Sequence, residues 1–194
     1  DLYNVSLWWS ELDRSYDNPP TTSEQIMHFN KYLAEEEPDV IDDPRLSDAL
    51  EFEWEEIWNS SLGEWYTYLF LRHSVNVNYG QSDSDLDDIF LGAAEGWGGD
   101  QMQIYQNPAG RTVIVGHWSL DSIFDTEEFI DALTIYQNAR FTEQAPQLEA
   151  LGGTCSQQGL YLSCIFTNEQ EVLWVYTPGE DLMMDIMTLF EQFE

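Results

Sequence analysis

Thirty-seven aspartates and glutamates stand against six lysines and arginines, and no other feature constrains the fold of this chain as much. A net charge of −31 on one small globule favours expansion in dilute salt, because uncompensated like charges repel. Two kinds of protein carry such an excess. One is a disordered acidic segment, which is poor in aromatic residues. This chain is 43% hydrophobic and 14% aromatic, with eight tryptophans, so it can build a core. The other is a folded domain suited to molar salt, where the screening length falls to about 3 Å and the repulsion largely vanishes. The second reading fits better. Lys31 is the only lysine, as expected where long apolar stems would promote salting-out.

The same charge excludes several partners. Phosphate backbones and anionic membrane surfaces are bound by clusters of Lys and Arg, which are missing here. No apolar run reaches the ~20 residues that a membrane-spanning helix needs. The chain opens Asp1-Leu2-Tyr3, without Met or a signal peptide, so a processed product or a fragment is expected.

Cys155 and Cys164 are the two cysteines. They either staple a hairpin, which implies an oxidising compartment, or stand as two buried thiols. Their spacing, with no histidine nearby, does not match a zinc site. Two glycosylation sequons, at Asn4 and Asn59, agree with an extracellular or cell-surface location.

Residues 1–98 read as mainly helical and residues 99–194 as a ββα-ββα region, the two packed as one unit. Helical spacing marks 1–16, Leu46–Trp58, Leu62–His73 and Asp83–Glu95. Thr22 with Gln25 forms a capping box for a helix through Ile26, Phe29 and Leu33. Gly96–Gly99 is expected as a turn. Beyond it, 101–106 with 111–118 and 160–166 with 171–176 read as hairpins. Helices over 126–139 and from Pro178 through Phe193 follow them. The fold class is α+β, with an antiparallel four-stranded sheet and its helices on one face.

Catalytic signatures are sparse. His28, His73 and His117 lie outside any His-Glu-x-x-His pair, and no Gly-x-Ser-x-Gly elbow or phosphate-binding loop occurs. His28 either hydrogen-bonds structurally or lines a site. Asp83, Asp85 and Asp87 begin like a calcium loop, but Asp88 and Ala94 replace its glycine and glutamate. The segment Gly96-Trp97-Gly98-Gly99-Asp100 is the most unusual. Its glycines permit positive φ and close approach, Trp97 plugs the joint between the halves, and Asp100 caps amides of the turn.

Two segments together resemble a known pattern. One runs from Asp17 through Pro19, Pro20, Glu24, Gln25 and His28 to Tyr32. The other is Ala93-Ala94-Glu95-Gly96-Trp97-Gly98-Gly99-Asp100, followed by Trp118, Asp121 and Glu127-Glu128-Phe129. Their order and separation resemble secreted zinc-metallopeptidase-like surface proteins of haloarchaea and some bacteria, over roughly residues 7–176. Phe29 replaces the usual proline and Gln101 the usual arginine. In that family an upstream helix carries the His-Glu-x-x-His zinc motif, so no catalytic or metal-binding residue carries over and no cofactor is expected in this chain. The resemblance implies a non-catalytic C-terminal module whose partner is its own zinc-bearing N-terminal half or another surface protein. A structural or binding subunit of a haloarchaeal surface assembly is the alternative.

Overall fold

The structure is a computed structural model that describes residues 13, 15–73, 83–145, 148 and 151–193. The expected helix over residues 1–16, with Trp8, Trp9 and the Asn4 sequon, falls almost wholly outside the described residues. After helical residues at 13 and 15–17 come two short helices, α1 (Ser23–Met27) and α2 (Phe29–Leu33), then a 3₁₀ turn at Leu46–Asp48 and strand β1 (Glu55–Ser60). Helices α3 (Gly63–Arg72) and α4 (Asp83–Glu95) lead to β2 (Trp97–Gln106), β3 (Thr112–Leu120) and α5 (Ile123–Arg140). The chain ends with β4 (Glu143–Gln144), β5 (Thr154–Gln158), β6 (Tyr161–Asn168), β7 (Glu171–Thr177), α6 (Glu180–Met187) and a 3₁₀ turn at Glu191–Phe193.

The strands form one seven-stranded sheet in the order β1-β2-β3-β7-β6-β5-β4. Every pairing is antiparallel. Local chemistry sets the hairpins. Asn107 Oδ1 accepts from the amides of Ala109 (3.1 Å) and Arg111 (3.0 Å), and Gly110 takes φ 76°, so β2 turns back with Gln106 opposite Thr112. Cys155 pairs with Cys164 across β5 and β6, and the two form a disulfide.

Alternation along the strands divides the core into two layers. Val113, Val115, Leu173, Val175 and Phe166 pack with Met183, Ile186, Phe190 and Phe193 of the C-terminal segment. Met102, Trp118, Ile165, Val172 and Trp174 point the other way and pack on Leu71, Phe90, Phe129 and Leu133 of α3, α4 and α5. Helices therefore cover both faces of the sheet, and the one-face expectation is corrected. The reason lies in β6 and β7, whose central residues are all buried; such strands need cover on both sides.

The N-terminal half is also less helical than its spacing suggests. Leu46–Trp58 yields one 3₁₀ turn and the edge strand β1. A helix there would bring Phe52, which is fully exposed, onto a shared apolar face. Pairing of 55–60 with β2 instead satisfies a row of backbone groups on a long strand. The helix expected through Leu33 breaks at His28, whose backbone is extended at φ −119° and ψ 97°. The turn expected at Gly96–Gly99 is the start of β2, irregular between Trp97 and Gly99.

Candidate functional site

The two motif segments, some seventy positions apart in sequence, converge on the first turn of α3. Asp100 is buried and accepts hydrogen bonds from Ser61 Oγ (2.8 Å), Leu62 N (2.7 Å), Gly63 N (2.8 Å) and Trp97 Nε1 (2.9 Å). The amides that it caps belong to the start of α3 and not to the 96–99 segment, which corrects the sequence reading. From the other side, Ser23 Oγ accepts from Trp65 N (3.2 Å), and a 2.7 Å hydrogen bond joins His28 Nε2 to Glu64 Oε1. The capping box forms through Thr22 Oγ1, which accepts from Gln25 N (3.1 Å). Gln25 Oε1 returns to Thr21 N (2.8 Å), and its amide donates to Glu36 O (2.8 Å). Pro20, half-buried, stands just before this cap.

Close approach explains the glycines better than positive φ does. A Cβ on Gly99 would stand 2.4 Å from Asp39 O, and one on Gly96 would stand 2.3 Å from Asp125 Cβ. Neither takes the left-handed backbone that the sequence reading allowed. Gly98 O accepts from Asp39 N (2.8 Å), so the 39–43 segment lies strapped along the sheet. Trp97 is buried among α4 and α5 residues.

Lys31 occupies the centre of an acidic group. Its ammonium donates to Glu24 and to Asp121 Oδ2 (2.6 Å) and lies 3.4 Å from Glu36 Oε1. Carboxylate oxygens of Glu24, Glu36 and Asp121 all lie within 4.8 Å of one another, and the charge between them is the lysine itself. Burial pushes Glu24 upward from its ordinary value despite this partner. Burial likewise pushes Glu64 up to about 7, against the opposing pull of His28.

Glu64 supports a prediction with a definite sign. An unfolded glutamate ionises near pH 4.5, while folded Glu64 keeps its proton to about 7. The folded state then binds more protons across that window, so this group's stabilising contribution is full below pH 4.5 and lost as pH rises to about 7. Glu64→Gln keeps a hydrogen-bonding partner for His28 without the charge. Denaturant melts in molar salt should show Glu64→Gln gaining on the order of 2 kcal/mol relative to wild type between pH 4.5 and 8. Parallel pH profiles for the two proteins would contradict the assignment.

This hub is a joint, with only a small cavity of about 80 Å³ beside it, lined by Thr21, Gln25 and Tyr32 among others. The larger cavity, about 570 Å³, opens elsewhere, between the C-terminal end of α5 and the strands. Tyr136, Arg140, Phe141, Tyr161, Trp174 and Tyr176 line it. Tyr161 and Tyr176 stack with centroids 4.8 Å apart and an interplanar angle of 4°. Trp174 continues the tray beside Tyr176 (6.1 Å), and the Arg140 guanidinium lies 4.5 Å above the Tyr136 ring. A buried chain of hydrogen bonds fixes the floor. Trp174 Nε1 donates to Ser163 Oγ (2.8 Å), Ser163 Oγ to Gln137 Oε1 (2.7 Å), and Gln137 Nε2 to Ser156 Oγ (3.2 Å). Burial pushes the Tyr136 hydroxyl up to about 12, with Arg140 opposing, so it stays a hydrogen-bond donor.

None of these pocket residues was singled out from the sequence. One signal was present: Tyr161, Trp174 and Tyr176 occupy same-face positions of two adjacent strands, near one of only six cations. Of the sequons, Asn59 lies exposed on the edge strand β1, its amide donating to Glu56 Oε2 (3.1 Å).

Neither curated proteins nor solved structures match this chain. A family model matches residues 52–187, a span that takes in the Gly96–Asp100 segment, the aromatic pocket and the disulfide but stops short of residues 17–32. The chain belongs to that family, described as Domain of unknown function (DUF8575).

Proposed function

We propose that this chain is a non-catalytic ligand-binding module of an extracellular or surface protein from a salt-loving organism, and that its aromatic pocket takes a sugar ring. One observation carries the reading: a pre-formed cavity of about 570 Å³ walled by five aromatic side chains with one guanidinium. Specific small-molecule sites are concave and mostly apolar, with a few polar groups placed to orient the ligand. A sugar presents a face of C–H groups to a ring's negative π surface. Its hydroxyls then meet the tyrosine hydroxyls, Thr112 and Gln158 at the rim, and Arg140 suits a uronate carboxylate. The disulfide favours an oxidising compartment, and no helix among the described residues is long and apolar enough to cross a membrane.

Intrinsic fluorescence titrations in molar salt, with neutral and uronate oligosaccharides, test this. Binding is expected, and Tyr161→Ala should weaken it about tenfold or more, through loss of roughly 1.5 kcal/mol of stacking and burial. Tyr161 is only partly buried, so the variant retains the fold. Unchanged affinity in the variant, or no binding at millimolar sugar, overturns the reading.

A second reading has its own support. The two segments that resemble metallopeptidase-like haloarchaeal proteins interlock at the start of α3 through Asp100, Ser23 and His28. In that reading the chain is the C-terminal module and docks on a zinc-bearing N-terminal half. Native mass spectrometry of material purified from its source separates the two. A co-purifying chain with His-Glu-x-x-His supports the module, and a lone chain removes it.

A further inference from the structure

On the sheet face opposite the aromatic pocket, His117 of β3 stands edge-on to Phe193 (5.2 Å) and Phe190 (6.5 Å). Its Nδ1 lies 2.7 Å from Asp43 Oδ1, and both side chains are 4% exposed. A carboxylate oxygen only accepts, so Nδ1 carries a proton, and in the neutral form of the ring Nε2 holds the lone pair. That Nε2 is buried and has no hydrogen-bond partner in the described structure. Glu171 Oε2 faces it at 3.7 Å, too far for a hydrogen bond. Both groups line a polar recess of about 360 Å³ with Asp39, Asp42, Asp43 and Ser119.

We propose that this recess binds a divalent transition-metal ion of the zinc class, through His117 Nε2 and the Glu171 carboxylate. Zinc takes nitrogen and carboxylate oxygen ligands at about 2.0–2.2 Å, so two ligands at a tetrahedral angle lie about 3.4 Å apart. The observed 3.7 Å needs only a small adjustment of a surface glutamate that is 41% exposed. Asp43 supplies the outer carboxylate that metal-binding histidines characteristically use to fix tautomer and ring orientation. Imidazole selects transition metals over magnesium and calcium. Water completes the coordination. An ion there satisfies a buried lone pair that otherwise has no donor.

The test uses the intact, oxidised chain, stripped with a chelator and held in molar potassium chloride, which swamps the general attraction of a −31 surface for cations. Cobalt(II) serves as the probe, with visible ligand-field absorption and equilibrium dialysis as readouts. One cobalt per chain is expected, displaced by zinc and indifferent to excess magnesium. His117→Gln should abolish binding, Glu171→Gln weaken it at least tenfold, and Asp43→Asn weaken it about 10–100-fold. Glu171→Gln keeps the fold because Glu171 is a half-exposed surface residue, so its result stands even if a buried variant unfolds. Glu36→Gln, in the Lys31 cluster, should leave cobalt binding unchanged. Absence of binding at 100 μM cobalt (on the order of a weak site), equal affinity for magnesium, or binding that survives Glu171→Gln undiminished overturns the proposal.

Discussion

Transfer from molar salt to about 0.1 M should unfold this protein, with loss of its far-ultraviolet circular dichroism and of a cooperative melt. The screening length grows from about 3 Å to about 10 Å over that range, so each carboxylate begins to feel many others. Few cations sit among them. Lys31 is engaged by Glu24 and Asp121, and Arg72 pairs with Asp87 at 2.6 Å. The opposing stability of a domain this size is only about 5–15 kcal/mol, spread here over two core layers. Returning the salt should restore the signal, and the loss should be milder near pH 4, where carboxylates neutralise. A circular dichroism spectrum that stays unchanged from 1 M to about 0.1 M salt would refute the charge argument and with it the proposal of a saline habitat.

Asp100→Ala should be the most damaging single substitution outside the apolar core, costing about 3–5 kcal/mol. One carboxylate takes four donors: Ser61 Oγ, the amides of Leu62 and Gly63, and the Trp97 indole. Alanine leaves those donors without their acceptor, and each orphaned buried donor costs about 1–3 kcal/mol. Leu62 and Gly63 begin α3, whose Phe70 lies against Trp118, Tyr136 and Trp174, so the damage spreads into the second core layer. Asp100→Asn recovers part of the loss, because one of its two side-chain positions still accepts. Urea titration in molar salt reads the difference. A shift below about 1 kcal/mol would mean that water replaces the carboxylate with little penalty.

The C-terminal half was the more legible in sequence because its signals are local. Asn107 and Gly110 turn one hairpin, period-2 alternation marks its arms, and the amphipathic stretch after Ser122 becomes α5, with Ser122 Oγ accepting from Asp125 N (3.2 Å). The Cys155–Cys164 pair reads as a hairpin staple for the same reason. The helix expected over Leu46–Trp58 does not form, because apolar residues at i, i+3 and i+4 suit either a helix face or an irregular edge strand. The choice depends on β2 lying alongside, which no local window contains. The helices on both faces were hidden similarly, since the burial of β6 and β7 shows only after the meander closes. For the site, Asp100 and Gly96–Gly99 stand out by composition, while Tyr161, Trp174 and Tyr176 meet only through strand pairing and Tyr136 joins them only when α5 packs on the sheet. His117 offered no spacing clue at all: Asp43 lies far away in the chain and reaches it through the strap over Gly98 and Gly99.

Strand order also has a kinetic meaning. Every adjacent pair in the sheet joins consecutive strands except one, β3 with β7. The pair β2-β3 and the run β4-β5-β6-β7 can zip from nearby contacts, whereas β1 reaches β2 only across α3 and α4, with Ser60 opposite Met102. Two pairings close long loops: β1 with β2, about 40 residues at the nearest contact, and the seam between β3 and β7, from Ile114 opposite Tyr176 to Ser119 opposite Glu171, about 50 residues, each at an entropic cost of roughly 3–4 kcal/mol. Residues on both sides of that seam feed both core layers. Closing these two long loops is expected to limit the folding rate, so substitutions at the paired residues of β1 with β2 and of β3 with β7 should slow folding in stopped-flow measurements more than substitutions in the β5-β6 hairpin do.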